Sequence, residues 1–309
     1  MLQIYHPHQG WQQAQSSLPA QGWLKLINPS KEAIHQVSRH YQIASELIEA
    51  ALDPNARPRL HSQEGAHLVL SHLPLAQPDS ERVPFGILPV GIILKDQLVL
   101  TVCLQDSPIW QTKMAQGLAT LDERPLQSVY RLLAASTNAF LDALKRIEHR
   151  VTAVEQALQK SIKNRQVFKL LNHNKSLIAF ATSLHSMVQV LNRLHAQPPV
   201  PADQHDQDLL LDIKVATAQA QAIAAIHSAN LRNLMDAYSA AIENNLSLVV
   251  QHLSIYVIIM AVPMGIAGLY GMNTPLPLQD EPYILALLVV ISLVVVGLIT
   301  RAFKARRII

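Results

Sequence analysis

The residues best placed to do chemistry form a short run, Gly271-Met272-Asn273, directly after an uncharged stretch from Leu253 to Tyr270. This run offers neutral oxygens only: the Asn273 side-chain amide and the backbone carbonyls of Gly271 and Met272. A small divalent cation such as Mg2+ gives up its octahedral water shell reluctantly. Neutral acceptors can therefore hold such an ion through its waters and release it again, where a ring of carboxylates would bind too tightly. A purely structural reading of the same residues is that Asn273 caps a helix and Gly271 makes the turn beyond it with positive φ.

Further candidates lie on the helix leading to this run. Turned by about 100° per residue, Asp236, Glu243, Ser247, Val250, Ser254, Val257, Ala261, Met264 and Gly268 share one side. That side is acidic at one end and small or apolar along the rest. It suits close helix packing, where small residues let backbones touch, or the wall of a symmetric pore. In a pore, Leu253, Val257 and Met264 would form an apolar throat that passes hydrated ions and closes by dewetting. Asp236 and Glu243 would concentrate cations at its inner mouth, or are simply solvated. The bulky Ile255, Tyr256, Ile259, Val262, Ile266 and Leu269 occupy the opposite face, suited to lipid or a second helix.

Other chemistry has little support. His6-Pro7-His8 is a His-x-His pair at the N-terminus without a third ligand, better read as part of a mobile terminus, and the 14 histidines form no cluster with metal-ligand spacing. His252 stands where an inner membrane boundary would fall, as an interfacial side chain or a proton-linked switch. The single Cys103 cannot form an internal disulfide, which suits a reducing compartment. Ser, His and acidic residues are dispersed, and the 10 glycines build no phosphate-cradling loop, so an enzyme is not expected. A net charge of +3 is too small to argue for nucleic acid. No covalently bound cofactor is expected.

The elements that must position these residues begin with two apolar segments. About 253–272 and 283–300 are each long enough to cross a hydrocarbon core of ~30 Å at ~1.5 Å per residue. The connection 274–282 is too short for anything but a tight turn, so the spans form an antiparallel pair. No Lys or Arg occurs between Arg232 and Arg301, and Lys304, Arg306 and Arg307 then crowd the C-terminal end. The positive-inside rule places that end in the cytoplasm and the loop, with Asp280 and Glu281, outside. Half of the 309 residues are hydrophobic, with a mean hydropathy of +0.16, and the excess is concentrated in these spans. Met1 to Gln13 has neither the basic nor the apolar region of a cleavable signal.

The preceding ~245 residues are of ordinary soluble size. Met1 to Gln21 carries little periodic signal. Trp23 to Ile27 alternates like a strand, and Asn28-Pro29-Ser30 stops it and caps one helix over Lys31 to Leu52. Arg57 to Leu60 and His67 to Leu73 read as strands. Phe85 to Leu94 and Leu98 to Leu104 form a hairpin through Lys95-Asp96-Gln97, and Ser107-Pro108 opens a helix toward Leu121. The mixture indicates an α/β or α+β domain. From Pro125 the signal is helical: Leu126 to Lys163, Gln166 to Leu194, and then one helix from near Asp203 to Tyr270, roughly 100 Å long at the usual rise. Leu209, Ile213, Ala216, Ala220, Ile223, Leu231, Leu234, Tyr238 and Ala241 form the stripe along which that helix needs a partner. The division expected is a domain over 1–124, a helical stalk over 125–245 and a membrane part over 246–309.

Tyr270-Gly271-Met272-Asn273 at the outer end of the penultimate span, the short acidic loop, the last span and the basic tail resemble the CorA family of magnesium channels. The resemblance extends through Gly22-Trp23-Leu24-Lys25-Leu26, Asn28-Pro29-Ser30, Arg57-Pro58-Arg59, Leu98 to Val102, and Lys175-Ser176-Leu177 to Leu191. It implies a funnel-shaped homopentamer in the inner membrane, with both termini cytoplasmic. It also implies a ring of Asn273 as outer filter, with Gly271 and Met272, acting on a hydrated Mg2+, Co2+ or Ni2+. Glu49 and Asp212 match the family's regulatory magnesium ligands, although Ala50 stands where a second acid is usual. The zinc-transporting ZntB-like branch, with possible proton coupling, is the alternative that the resemblance leaves open, and Met272 favours magnesium. A different alternative is a membrane scaffold or sensor that oligomerises without conducting.

Overall fold

A computed structural model describes residues 2–6, 10–13, 18–19, 21–77, 83–107, 124–160, 164–272 and 281–305. The chain divides into two compact units, Met1–Met235 and Asp236–Ile309.

In the first unit a seven-stranded sheet has the order β2-β1-β3-β7-β6-β5-β4. Its strands are β1 (Leu2–His6), β2 (Gly10–Gln13), β3 (Gly22–Ile27), β4 (Arg59–Gln63), β5 (Ala66–Ala76), β6 (Phe85–Lys95) and β7 (Leu98–Cys103). Every neighbouring pair is antiparallel except β3 with β7, which run parallel with Gly22 opposite Leu98 and Ile27 opposite Cys103. The period of two along β3 assigns its residues to two cores. Leu24 and Leu26 face helices α1 (Lys31–Tyr41) and α2 (Ser45–Glu49), where Ile34, Val37, Leu47 and Ile48 meet Leu68, Leu70, Ile93 and Leu100. Trp23 faces the other way, into a cluster with Val90, Ile92 and Val99 from the sheet. That cluster also takes Val129 and Leu133 of α3 (Pro125–Lys160), Leu191 and Leu194 of α4 (Asn164–Ala196), and Leu210 and Ile213 of α5 (Gln204–Tyr270).

Buried polar groups in this unit are mostly satisfied, as burial demands. The Trp23 indole N–H donates to Thr101 Oγ1 at 3.0 Å, and the Thr101 hydroxyl is 3.2 Å from the Leu24 carbonyl. Lys25, itself buried, is paired with Asp106. His72 uses both ring nitrogens, one with Ser183 Oγ and one with the Ala56 carbonyl, each at 2.7 Å. Desolvation holds its pKa below the usual imidazole range.

The β6–β7 hairpin forms as expected, with Lys95 opposite Leu98 across the Asp96-Gln97 turn. Three expectations need correction. The helix over Lys31 to Leu52 is broken: Gln42 adopts φ 54° and caps α1, and α2 starts afresh at Ser45. Both pieces bury their apolar residues against one sheet face, so the spacing reads through the break. The strand expected over Arg57 to Leu60 is Arg59–Gln63, closed onto β5 by Glu64 and Gly65 at φ 51° and 72°. The N-terminal residues are not without structure: β1 pairs with both β2 and β3, so His6 belongs to a sheet strand. Pro7, His8 and the helix expected from Ser107-Pro108 to Leu121 lie outside the described residues, apart from Ser107 itself.

Along α5 in the first unit the buried positions are Asp206, Leu210, Ile213, Thr217, Ala220, Ala224, Ser228 and Leu231. This face is turned by part of a residue from the expected stripe, because Thr217 and Ser228 belong to it. Their hydroxyls find Thr137 Oγ1 on α3 and Asn174 Oδ1 on α4, each at 2.8 Å.

The second unit holds the end of α5 and helix α6 (Ile284–Ala305). Both α5 and α6 contain a segment long and apolar enough to cross a membrane.

Candidate functional site

The site is assembled on the second unit. α5 runs without interruption through Pro263 to Tyr270. Proline has no N–H to give, so the Ile259 carbonyl loses its intrahelical donor. The helix then closes: Gly271 N–H donates to the Ala267 carbonyl at 2.9 Å, and Met272 N–H to the Leu269 carbonyl at 3.3 Å. Gly271 therefore continues the helical turn, and its φ is not positive. The reading of Gly271 as a positive-φ bend is corrected accordingly. A Cβ at Gly271 would come within 3.2 Å of the Ala267 oxygen, so tight backbone packing rather than a left-handed conformation favours the small residue.

Exposure sorts the faces of α5 in this unit. Gln251, Ile255, Ile259, Val262, Ile266 and Tyr270 are covered to differing degrees, Ile255 most completely at 5% exposed. On α6 the corresponding residues are Ile284, Leu288, Ser292, Val295 and Ile299. Both series step by three and four, the spacing of a helical seam. Tyr256 and Leu269, grouped by sequence with the covered face, are instead exposed. On the other side Asp236, Glu243, Ser247, Val250, Leu253, Val257, Ala261, Met264 and Gly268 are all exposed. The Ser254 hydroxyl is turned back to the Val250 carbonyl at 2.9 Å, which removes its polarity from the stripe.

Met272 is exposed, and so is Glu281, just before α6. Asn273 and Asp280 lie outside the described residues. In the first unit Glu49 closes α2 and Asp212 lies on α5, both exposed, and neither belongs to any group of three metal-ligating side chains among the described residues. The covered series on α6 has no signal in the residue types, because every residue of that span is apolar or small and periodicity cannot be read from uniform hydropathy.

A mixed sheet is backed by long helices, one of which carries on as the first of two helices long and apolar enough to cross a membrane, and the family matched by this chain is one of transporters, not enzymes. The family profile of the CorA-like Mg2+ transporter protein matches residues 21–306. The chain belongs to this family. The cobalt/magnesium transport protein CorA of Methanocaldococcus jannaschii is 25% identical over 292 residues, covering 91% of this chain and 90% of that protein. The complete structure of the CorA magnesium transporter from the same organism superposes with a TM-score of 0.81 at 22% identity, over 98% of this chain and 96% of the other. The full-length CmaX protein follows with a TM-score of 0.73 at 15% identity, covering 97% of both chains.

Proposed function

We propose that the chain carries divalent cations, Mg2+ foremost and Co2+ or Ni2+ besides, across the inner membrane through the centre of a homopentamer. One observation supports this most: an uncharged, exposed stripe on α5, opposite the face covered within its own unit, ends directly at Gly271 and Met272. Asn273 follows and would present its amide oxygen to the waters of the ion, with the Gly271 and Met272 carbonyls behind it. Below the filter, Ser247, Val250, Leu253, Val257, Ala261, Met264 and Gly268 line the path, and the dewetting of the apolar throat closes it. Asp236 and Glu243 gather cations at the inner mouth, and Asp280 and Glu281 do so outside. The basic Arg301 and Lys304 keep the end of α6 in the cytoplasm together with the first unit. On this reading 1–124 is the cytoplasmic domain, 125–245 the stalk and 246–309 the membrane part.

The test is uptake of Mg2+, Co2+ and Zn2+ into proteoliposomes, each with and without a pH gradient. Asn273→Ala should lower Mg2+ uptake by about tenfold or more, the scale of losing a well-placed polar contact to the ion's shell. Unchanged uptake would remove the filter. Zn2+ flux that depends on the gradient, with Mg2+ flux absent, would transfer the assignment to a proton-coupled zinc transporter.

A further inference from the structure

Just past its apolar run, α6 carries two cations on the face turned away from α5. Arg301 and Lys304 are both exposed, whereas Phe303 between them continues the partly covered series of Val295 and Ile299. At ~100° per residue, Arg301 stands about 160° and Lys304 about 100° round the helix from Phe303. The two are therefore neighbours on one outer face, at the spacing of three where side chains meet and like charges repel.

No carboxylate balances them. The sequence has no Asp or Glu between Glu243 and Asp280 and none after Glu281. Tyr270 ends α5 and Ile284 starts α6, so at equal rise Arg301 comes level with Leu253. Glu243 then lies about 15 Å deeper, beyond the ~8 Å over which charges act at physiological salt. The negative end of α6 offsets roughly half a charge, which leaves the pair with an excess of about one and a half positive charges. Arg306 and Arg307, next in the sequence, add to it.

The surface on the membrane side of the pair is notched. Gly297 stands one turn before Arg301, and a Cβ added there would meet nothing within 4 Å. Its exposed neighbours on this face, Val290, Val294 and Leu298, are bulky and apolar. Gly297 thus opens a gap about 6 Å inside the edge of the apolar run. A cationic pair beneath an apolar notch suits a molecule with an anionic head and a hydrocarbon tail. Free phosphate would leave the notch empty. A second copy of the chain would bring no acid to this level, for the same reason that α5 brings none.

We propose that Arg301 and Lys304 bind the phosphate of an anionic phospholipid, with an acyl chain lying in the notch at Gly297. The guanidinium and the ammonium donate to the phosphate oxygens as charge-assisted hydrogen bonds. The inference rests on the membrane placement proposed for α5 and α6 and not on the ion path.

The test uses the full-length protein in phosphatidylcholine nanodiscs and metal-free buffer, with spin-labelled phosphatidylglycerol or spin-labelled phosphatidylcholine as the probe. Lipid held against the protein gives a motionally restricted spectrum, and the ratio of the two restricted fractions gives the preference. The parent should prefer phosphatidylglycerol severalfold at low salt, each cation at an anionic surface being worth about fivefold. Arg301→Gln and Lys304→Gln should each lower the preference by about threefold or more, and together remove most of it. Gly297→Leu, which fills the notch and leaves the charge alone, should lower the restricted fraction of phosphatidylglycerol. Arg232→Gln, which takes the same charge from the first unit, should change nothing, and inorganic phosphate should not displace the labelled lipid. An unchanged preference in the double variant, or an equal fall in Arg232→Gln, would overturn the proposal. Displacement by inorganic phosphate would overturn it too, by assigning the pair to free anions. A parent that restricts both lipids equally removes this inference alone, whereas one that restricts neither removes the membrane placement with it. Should Arg301→Gln not assemble in the discs, Lys304→Gln decides alone.

Discussion

The hydroxyl oxygens of Thr137 and Thr217 lie 2.8 Å apart, both buried, and join α3 to α5 in the middle of the helical layer. Each also approaches a carbonyl one turn back in its own helix, Leu133 at 3.1 Å and Ile213 at 2.7 Å. Each hydroxyl has one hydrogen, so the closer Thr217–Ile213 contact leaves Thr217 Oγ1 to accept from Thr137. Thr137→Val and Thr217→Val should each cost about 1 kcal/mol. The double substitution should cost less than the sum by about 0.5 kcal/mol or more. Thermal unfolding of the four proteins in one detergent completes the cycle, and additive losses would show that the two hydroxyls act separately.

Gly91 sits where β6 passes under the end of α2, and a Cβ there would stand 2.5 Å from the Ala51 Cβ and 3.2 Å from Leu68 Cδ1. Gly91→Ala should therefore destabilise the first unit by about 1–3 kcal/mol through overpacking. Adding Ala51→Gly should recover much of the loss, because it removes the atom that is struck. A melting temperature of the double variant no higher than that of Gly91→Ala would place the strain elsewhere.

His173 is buried on α4, and burial, with Arg150 and Lys169 adding to it, brings its pKa from 6.5 down to about 4. Above pH 6.5 the ring is neutral in both folded and unfolded chains and contributes no pH dependence. Between 6.5 and about 4 the unfolded chain binds a proton that the folded one refuses, so stability falls by up to about 1.4 kcal/mol per pH unit. Melting temperatures measured from pH 7.5 down to 4.5 should drop more steeply for the native protein than for His173→Gln. Parallel curves would assign the acid sensitivity to other groups.

Leu253 and Met264 are 62% and 69% exposed on the proposed ion path, whereas Val289 is 51% exposed on α6. If the throat closes by dewetting, Leu253→Thr and Met264→Thr should lower its barrier and raise resting Mg2+ uptake severalfold. Val289→Thr should leave uptake unchanged. Equal behaviour of all three variants would return the α5 stripe to ordinary helix packing.

How much of this was legible in the sequence depended on whether a signal was local. Lys95-Asp96-Gln97 between two β-rich runs specified its hairpin, and uncharged runs of sufficient length marked the two apolar helices. The break at Gln42 was hidden, since a non-glycine residue in a left-handed conformation leaves no mark in apolar spacing. The strands β1 and β2 were missed because β1 is ordered by pairing with β3 and β2 by pairing with β1, a tertiary effect that overrides weak local preference. On α5 the buried face was misphased because Thr217 and Ser228 look like surface residues until Thr137 and Asn174 are brought to them. The run Gly271-Met272-Asn273 was conspicuous by type and position, yet its helical phase at Gly271 was not.

The parallel match of Gly22–Ile27 with Leu98–Cys103 has a consequence for biosynthesis. During translation the first three strands can zip together early, but the second flank of β3 must wait until the ribosome has delivered Leu98 and its neighbours. For that interval the nascent fragment carries a bare rim of amide and carbonyl groups, the kind of edge that recruits unwanted partners. Demand for chaperone holding should therefore peak before the β6–β7 hairpin emerges and subside once β7 slots in beside β3.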